Sequence, residues 1–181
     1  MSVPCRRFGK TNLKIPVLSL GGMRFQQSWD QIDFSNISSQ EQEKVEKILN
    51  LANKYGLDHV ETAKYYGSSE VQLGVGFKDI NQTPRIIQTK IPPNSDPKVF
   101  EKDVFSSFEK LQVKKIDLIA IHGINTPEHL HCAIKEGGCV DILRKLQKKN
   151  LIGFVGFSTH GKSSLIEKAI STNLFDYVNL H

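Results

Sequence analysis

Six short apolar runs alternate with longer polar stretches in which hydrophobic residues recur every three or four positions. Val17 to Leu20, His59 to Ala63, Ile86 to Ile91, Ile116 to Ile121, Phe154 to Ser158 and Tyr177 to Leu180 read as strands. Between them, Ser38 and Glu41 form a capping box ahead of a helix with Val45, Ile48, Leu49 and Ala52 on one face and a stop at Gly56. Ser68 or Ser69 starts a short helix toward Phe77, and Asp96-Pro97 opens another with the stripe Phe100, Val104, Phe105, Phe108 and Leu111. A helical region opened by Thr126-Pro127 is interrupted at Gly137-Gly138 and resumes from Val140 to Lys149, and a last helix spans Lys162 to Thr172.

Strand–helix alternation of this kind argues for a parallel sheet, and the nearly all-apolar fourth strand fits burial on both faces. Residues 5–8 and 13–15 flank Gly9-Lys10-Thr11-Asn12 as a hairpin that would close one end of a barrel. A complete (β/α)8 barrel takes about 250 residues. The 181-residue chain therefore predicts an α/β fold, a partial (β/α)8 TIM barrel of about six strands lacking the last two βα units, as a single domain over residues 1–181. Strands one and six would be open edges, so self-association through them is an expectation.

Charge narrows the function classes. The net charge of +5 comes from 24 basic and 19 acidic residues spread along the chain, with no aromatic-interleaved basic stripe, which argues against nucleic acid as a partner. Cys5, Cys132 and Cys139 are odd in number and far apart, so neither a disulfide framework nor a metal or cluster signature is present, and no metal is expected. No apolar run reaches the ~18 residues of a membrane span, and the N-terminus lacks an apolar signal core. A cytoplasmic protein is expected.

Glu61, Tyr66, Lys90 and His122 all fall at or just past strand ends, the face on which parallel α/β folds assemble their sites. Together they can protonate a carbonyl: a phenol as donor, an ammonium to lower its pKa, a carboxylate to fix the ammonium, and an imidazole to orient the oxygen. Each alone has a duller explanation as a loop aromatic, an ordinary ion pair or a packing histidine, and it is the shared face that favours chemistry. Phe25, Trp29 and Phe34, in the first βα loop, either wall a substrate pocket or anchor their loop. Gly156 to Ser163 fits the phosphate-binding pattern GxxxxGK[ST], but only one strand remains downstream to supply a magnesium ligand, so nucleotide hydrolysis is the weaker reading.

The sequence resembles the aldo/keto reductases, NADPH-dependent barrel enzymes that reduce aldehydes and ketones. The likeness is carried by Glu61-Thr62-Ala63-Lys64-Tyr65-Tyr66-Gly67, Gln88-Thr89-Lys90, Asp117 to His122, Val155-Gly156-Phe157-Ser158, Arg7 to Thr11 and Leu20-Gly21-Gly22-Met23. It implies Tyr66 as general acid with Lys90, Glu61 and His122 as partners, an NADPH cofactor contacted by Gly22, Met23, Ser158 and Asn179, and a small carbonyl substrate. Glu61 stands where the family usually has aspartate. The Glu-Thr-Ala start and the segments after His122 and Gly156 are similar to a subgroup whose longer members carry an iron–sulfur tail, and no such cysteines occur here, so no iron–sulfur cluster is expected. In the family, loops after strands seven and eight hold most of the cofactor's phosphates, and the chain ends at His181. The resemblance thus implies weak cofactor binding and weak or absent turnover. The alternative from another class is a non-catalytic partial barrel acting as a binding or assembly partner.

Overall fold

The computed structural model describes residues 3–79 and 86–180; His181, named above, lies outside them. The hairpin forms as expected. Strand β1 (Cys5–Phe8) pairs antiparallel with β2 (Leu13–Pro16) around a 3-10 turn, Gly9–Thr11, with Gly9 at φ +52°. After β3 (Leu20–Gly21) come α1 (Ser39–Lys54), β4 (His59–Glu61), α2 (Ser69–Asp79), β5 (Ile86–Ile91) and α3 (Pro97–Leu111). They are followed by β6 (Ile116–Ile121), α4 (Pro127–Ile134), α5 (Cys139–Lys148), β7 (Ile152–Thr159), α6 (Ser163–Ser171) and β8 (Tyr177–Leu180). Strands β3 to β8 form one parallel sheet in sequence order, the arrangement of a partial (β/α)8 barrel.

Helix starts obey their caps. Ser38 accepts the Glu41 N–H, Asp96 accepts the Lys98 N–H before Pro97, and Thr126 accepts the His129 N–H before Pro127.

The pleat sorts each strand into two faces. Val60, Ile87, Ile91, Ile119, Ile121, Val155 and Phe157 point outward into a core shared with Leu49, Leu73, Phe100, Val104 and Leu143 of the helices. On the inner face, Ile86, Leu118, Ala120 and Tyr177 gather with Phe154 and the hairpin residues Phe8, Leu13 and Ile15. Phe8 packs on Tyr177 with ring centroids 5.2 Å apart. The hairpin therefore plugs the end of the interior where the strands begin. Above that plug the inner face turns polar, with His59 and Gln88 below the residues at the strand ends.

Two expectations fail. Val17 and Leu18, expected in the first buried strand, are 51% and 61% exposed, and the strand shrinks to Leu20–Gly21. The cause is the edge: β3 has a neighbour on one side only, β4, so the residues before Leu20 find neither a second strand nor a covering layer. The α3 stripe is narrower than its sequence pattern, because Phe100 is fully buried whereas Phe105 is 41% exposed. Phe100→Ala is accordingly expected to lower unfolding free energy by about 3–5 kcal/mol, and Phe105→Ala by less than about 1 kcal/mol, in urea titrations of the two variants.

Candidate active site

The sheet register brings the site together. Glu61 is the last residue of β4 and pairs with Gln88, two residues before Lys90 on β5, so the pleat turns Glu61 and Lys90 to the same inward face on neighbouring strands. His122 follows β6 immediately, with its N–H donated to Ile91 O at 2.7 Å. Tyr66 lies in the loop after β4, which holds its shape by continuing the ladder: Thr62 N–H donates to Gln88 O at 2.9 Å and Lys64 N–H to Lys90 O at 3.0 Å. The loop closes on α2 through Ser69, whose hydroxyl donates to Gly22 O and accepts from Thr62, each at 2.8 Å.

Lys90 is the hub. It is 4% exposed, its ammonium contacts the Glu61 carboxylate and donates to Thr62 O at 3.0 Å, and it sits 4.7 Å from the centroid of the Tyr66 ring. The Tyr66 and His122 rings meet edge-on at 90° with centroids 5.9 Å apart. All four sequence-selected residues thus converge on one cavity of about 290 Å³, which Ser158 and Asn179 also line.

Burial governs the protonation states. Desolvation pushes Lys90 down to about 7, while the touching Glu61 carboxylate works in the opposite direction by favouring the ammonium. His122 is pushed down to about 4, by desolvation first and then by Lys90 and His160, so its imidazole is neutral at physiological pH. The phenol of Tyr66 is raised, again by desolvation. This corrects the expectation that the ammonium acidifies the resting phenol. Lys90 lies over the ring face with its charge matched by Glu61, so loss of water around the phenol dominates.

Other sequence candidates fall elsewhere. Gly22 and Met23 do not line the cavity, whereas Gly21 does. Gly22 is needed for packing, since a Cβ there would come within 2.8 Å of Ser69 Oγ and 3.1 Å of Glu61 O. Of the two readings for the aromatic loop, anchoring holds for Phe25, which is 7% exposed in the outer core. Trp29 and Phe34 are exposed and line neither this cavity nor its neighbour of about 320 Å³, where Tyr65, Pro92, Pro93 and His129 meet His122.

The phosphate-loop pattern is not a phosphate cradle. Its first four residues, Gly156 to Thr159, are extended strand within β7, and a Cβ on Gly156 would come 2.5 Å from the Tyr177 ring. The next two N–H groups are already satisfied, His160 by Asn125 Oδ1 at 2.7 Å and Gly161 by Thr159 Oγ1 at 2.8 Å.

Sequence reading missed Ser19, His59 and Gln88, which join Asn179 in a polar row, buried at His59 and Gln88, with Ser19 and His59 lining the same cavity. A signal was present, because His59 and Gln88 each precede an inward-facing site residue by two positions. Among the described residues no group of three or more His, Cys, Asp or Glu side chains is placed to hold a metal, and no helix is long and apolar enough to cross a membrane.

Known structures share this fold. A thermostable aldo-keto reductase, Tm1743, solved with the inhibitor epalrestat, is 25% identical with a TM-score of 0.74, over 97% of this chain and 61% of its own. The holo form of the Bacillus halodurans aldo-keto reductase AKR11C1 is 18% identical with a TM-score of 0.76, over 99% of this chain and 57% of its own. The Bombyx mori aldo-keto reductase AKR2E4, solved in complex with NADP, is 18% identical with a TM-score of 0.71, over 100% of this chain and 59% of its own. The chain therefore spans about three fifths of the length of these structures. No curated protein sequence matches it. The family model for aldo/keto reductases matches residues 17–180, which takes in every strand of the parallel sheet together with Lys90 and the three site residues around it, and the chain belongs to that family.

Proposed function

We propose that this chain carries the carbonyl-reducing centre of an NADPH-dependent oxidoreductase acting on a small aldehyde or ketone. The observation that carries the reading is the double contact of Lys90, with its ammonium against Glu61 and over the Tyr66 ring, in a cavity that His122 also lines. The cavity suits the nicotinamide end of the cofactor. Gly21 leaves open space where a side chain would stand, and Ser158 and Asn179 supply polar groups at the edge. Bound there, the reduced nicotinamide supplies the hydride.

The residues of the chain handle the proton. Tyr66 gives its hydroxyl proton to the carbonyl oxygen as that oxygen becomes an alkoxide, a far stronger base than the resting carbonyl. Its raised pKa keeps the proton in place until then. The phenolate left behind is met by the Lys90 ammonium, so the cation acts on the charge that develops rather than on the acid at rest. Glu61 holds Lys90 charged despite its burial. His122, neutral, can hydrogen-bond the carbonyl oxygen without competing to protonate it.

Cofactor affinity is expected to be low. Apart from Lys90, which Glu61 engages, no Lys or Arg lines the cavity among the described residues, so its walls offer little to a pyrophosphate or a 2′-phosphate. Calorimetric titration with NADPH should give a dissociation constant weaker than micromolar, and a micromolar or tighter value would contradict this. The reaction itself is tested by incubating the chain with excess NADPH and a panel of small aldehydes, following loss of reduced-nicotinamide absorbance. Failure of every aldehyde at saturating cofactor rejects the assignment.

A further inference from the structure

Beneath the reacting groups, four side chains form a hydrogen-bonded row through the sheet interior. Ser19 Oγ lies 2.7 Å from His59 Nδ1, His59 Nε2 lies 3.0 Å from Gln88 Oε1, and Gln88 Nε2 donates to Asn179 Oδ1 at 2.9 Å. His59 is 3% exposed and Gln88 is fully buried, so the row is closed to water in its middle.

Such a row has a direction. An amide oxygen only accepts and an amide nitrogen only donates, so Gln88, by turning its oxygen to His59, requires a proton on Nε2. A neutral His59 then has a bare Nδ1, which accepts the Ser19 hydroxyl. At the other end, the Asn179 oxygen is committed to Gln88, and NH2 is the polar group Asn179 has left for the cavity it lines. The reversed row is equally self-consistent: a proton on Nδ1, the Gln88 nitrogen toward His59, and the Asn179 oxygen left for the cavity. Ser19 tolerates either direction, because a hydroxyl both donates and accepts. The position of one proton on His59 is therefore coupled to whether Asn179 offers a donor or an acceptor.

We propose that His59, acting through Gln88, is a positioning residue that fixes Asn179 with its NH2 edge available to the cavity, as the donor for a ligand amide oxygen. The ligand part rests on the cavity being the nicotinamide site; the coupling between His59 and Asn179 does not.

Nitrogen-15 NMR of the full chain tests the coupling directly. His59 is expected as the Nε2–H tautomer, and a proton found on Nδ1 overturns the proposal whatever any variant does. Gln88→Glu places a carboxylate that accepts from both neighbours, so the Asn179 NH2 should turn inward, with shifted and slowly exchanging amide protons. Unchanged Asn179 signals in a folded Gln88→Glu chain overturn it too. Calorimetry with reduced nicotinamide mononucleotide should show a roughly tenfold loss of affinity in Gln88→Glu. Gln88→Met, which breaks the row without turning the amide, should lose less. Equal losses in the two variants count against the positioning role. If the unmodified chain binds neither this mononucleotide nor NADPH, the cofactor reading fails while the NMR results still decide the coupling.

Discussion

Tyr66→Phe is expected to slow carbonyl reduction by about 10²–10⁴-fold, the range that positioned proton transfer contributes. The comparison is cleanest in single turnovers at saturating NADPH, where weak cofactor binding does not mask the chemical step. Folding should survive the change, because the contacts that anchor residue 66 use the ring: Lys90 4.7 Å from its centroid and His122 edge-on at 5.9 Å. A phenylalanine ring keeps both. The thermal midpoint should therefore move by no more than about 2 °C, equivalent to roughly 0.5–1 kcal/mol for a chain of this size. A variant that folds like the parent and reduces aldehydes at more than a tenth of its rate would remove Tyr66 from the role of acid, and with it the mechanism argued from this site.

The pleat explains why so much of the site was legible in the sequence. Alternation within β5 and β6 places Lys90 and the residue after Ile121 on one face, and the hairpin occupies the other end of that face, so the strand ends are where that face opens to a cavity. Those placements depend on local periodicity, which one chain displays. What the sequence hid depends on relations between distant segments. Val17 and Leu18 look like a buried strand until the sheet order shows β3 at an edge. Gly22 shows no packing role in the sequence until Ser69 and Glu61 are found against it. Gly156 looks like the start of a phosphate loop until Tyr177, 21 residues later, is seen to need its space. The protonation logic was hidden for the same reason, since a sequence shows which charges are near a strand end but not how much water they lose.

That loss of water makes pH the most searching probe of the Lys90 contact with Glu61. The ammonium is the form that receives the phenolate, so reduction should fall as pH rises and Lys90 deprotonates. Burial alone sets that step at about 7, and the Glu61 carboxylate raises it. Tyr66, held above its usual value, adds no competing step in the neutral range. Removing the carboxylate with Glu61→Gln should shift the falling limb of the rate profile to lower pH by about 1–3 units, the range of a close opposite charge. Stability offers an independent reading with the same sign. In the variant, Lys90 gives up its proton at a depressed folded pKa, whereas the unfolded chain holds that proton up to about 10.4. Between those values the unfolded state binds more protons, so unfolding free energy should rise with pH by up to about 1.4 kcal/mol per unit. In the parent, where the carboxylate keeps Lys90 charged to higher pH, the rise should begin later. Superimposable rate and stability profiles for the two proteins would mean that Glu61 does not control the charge on Lys90.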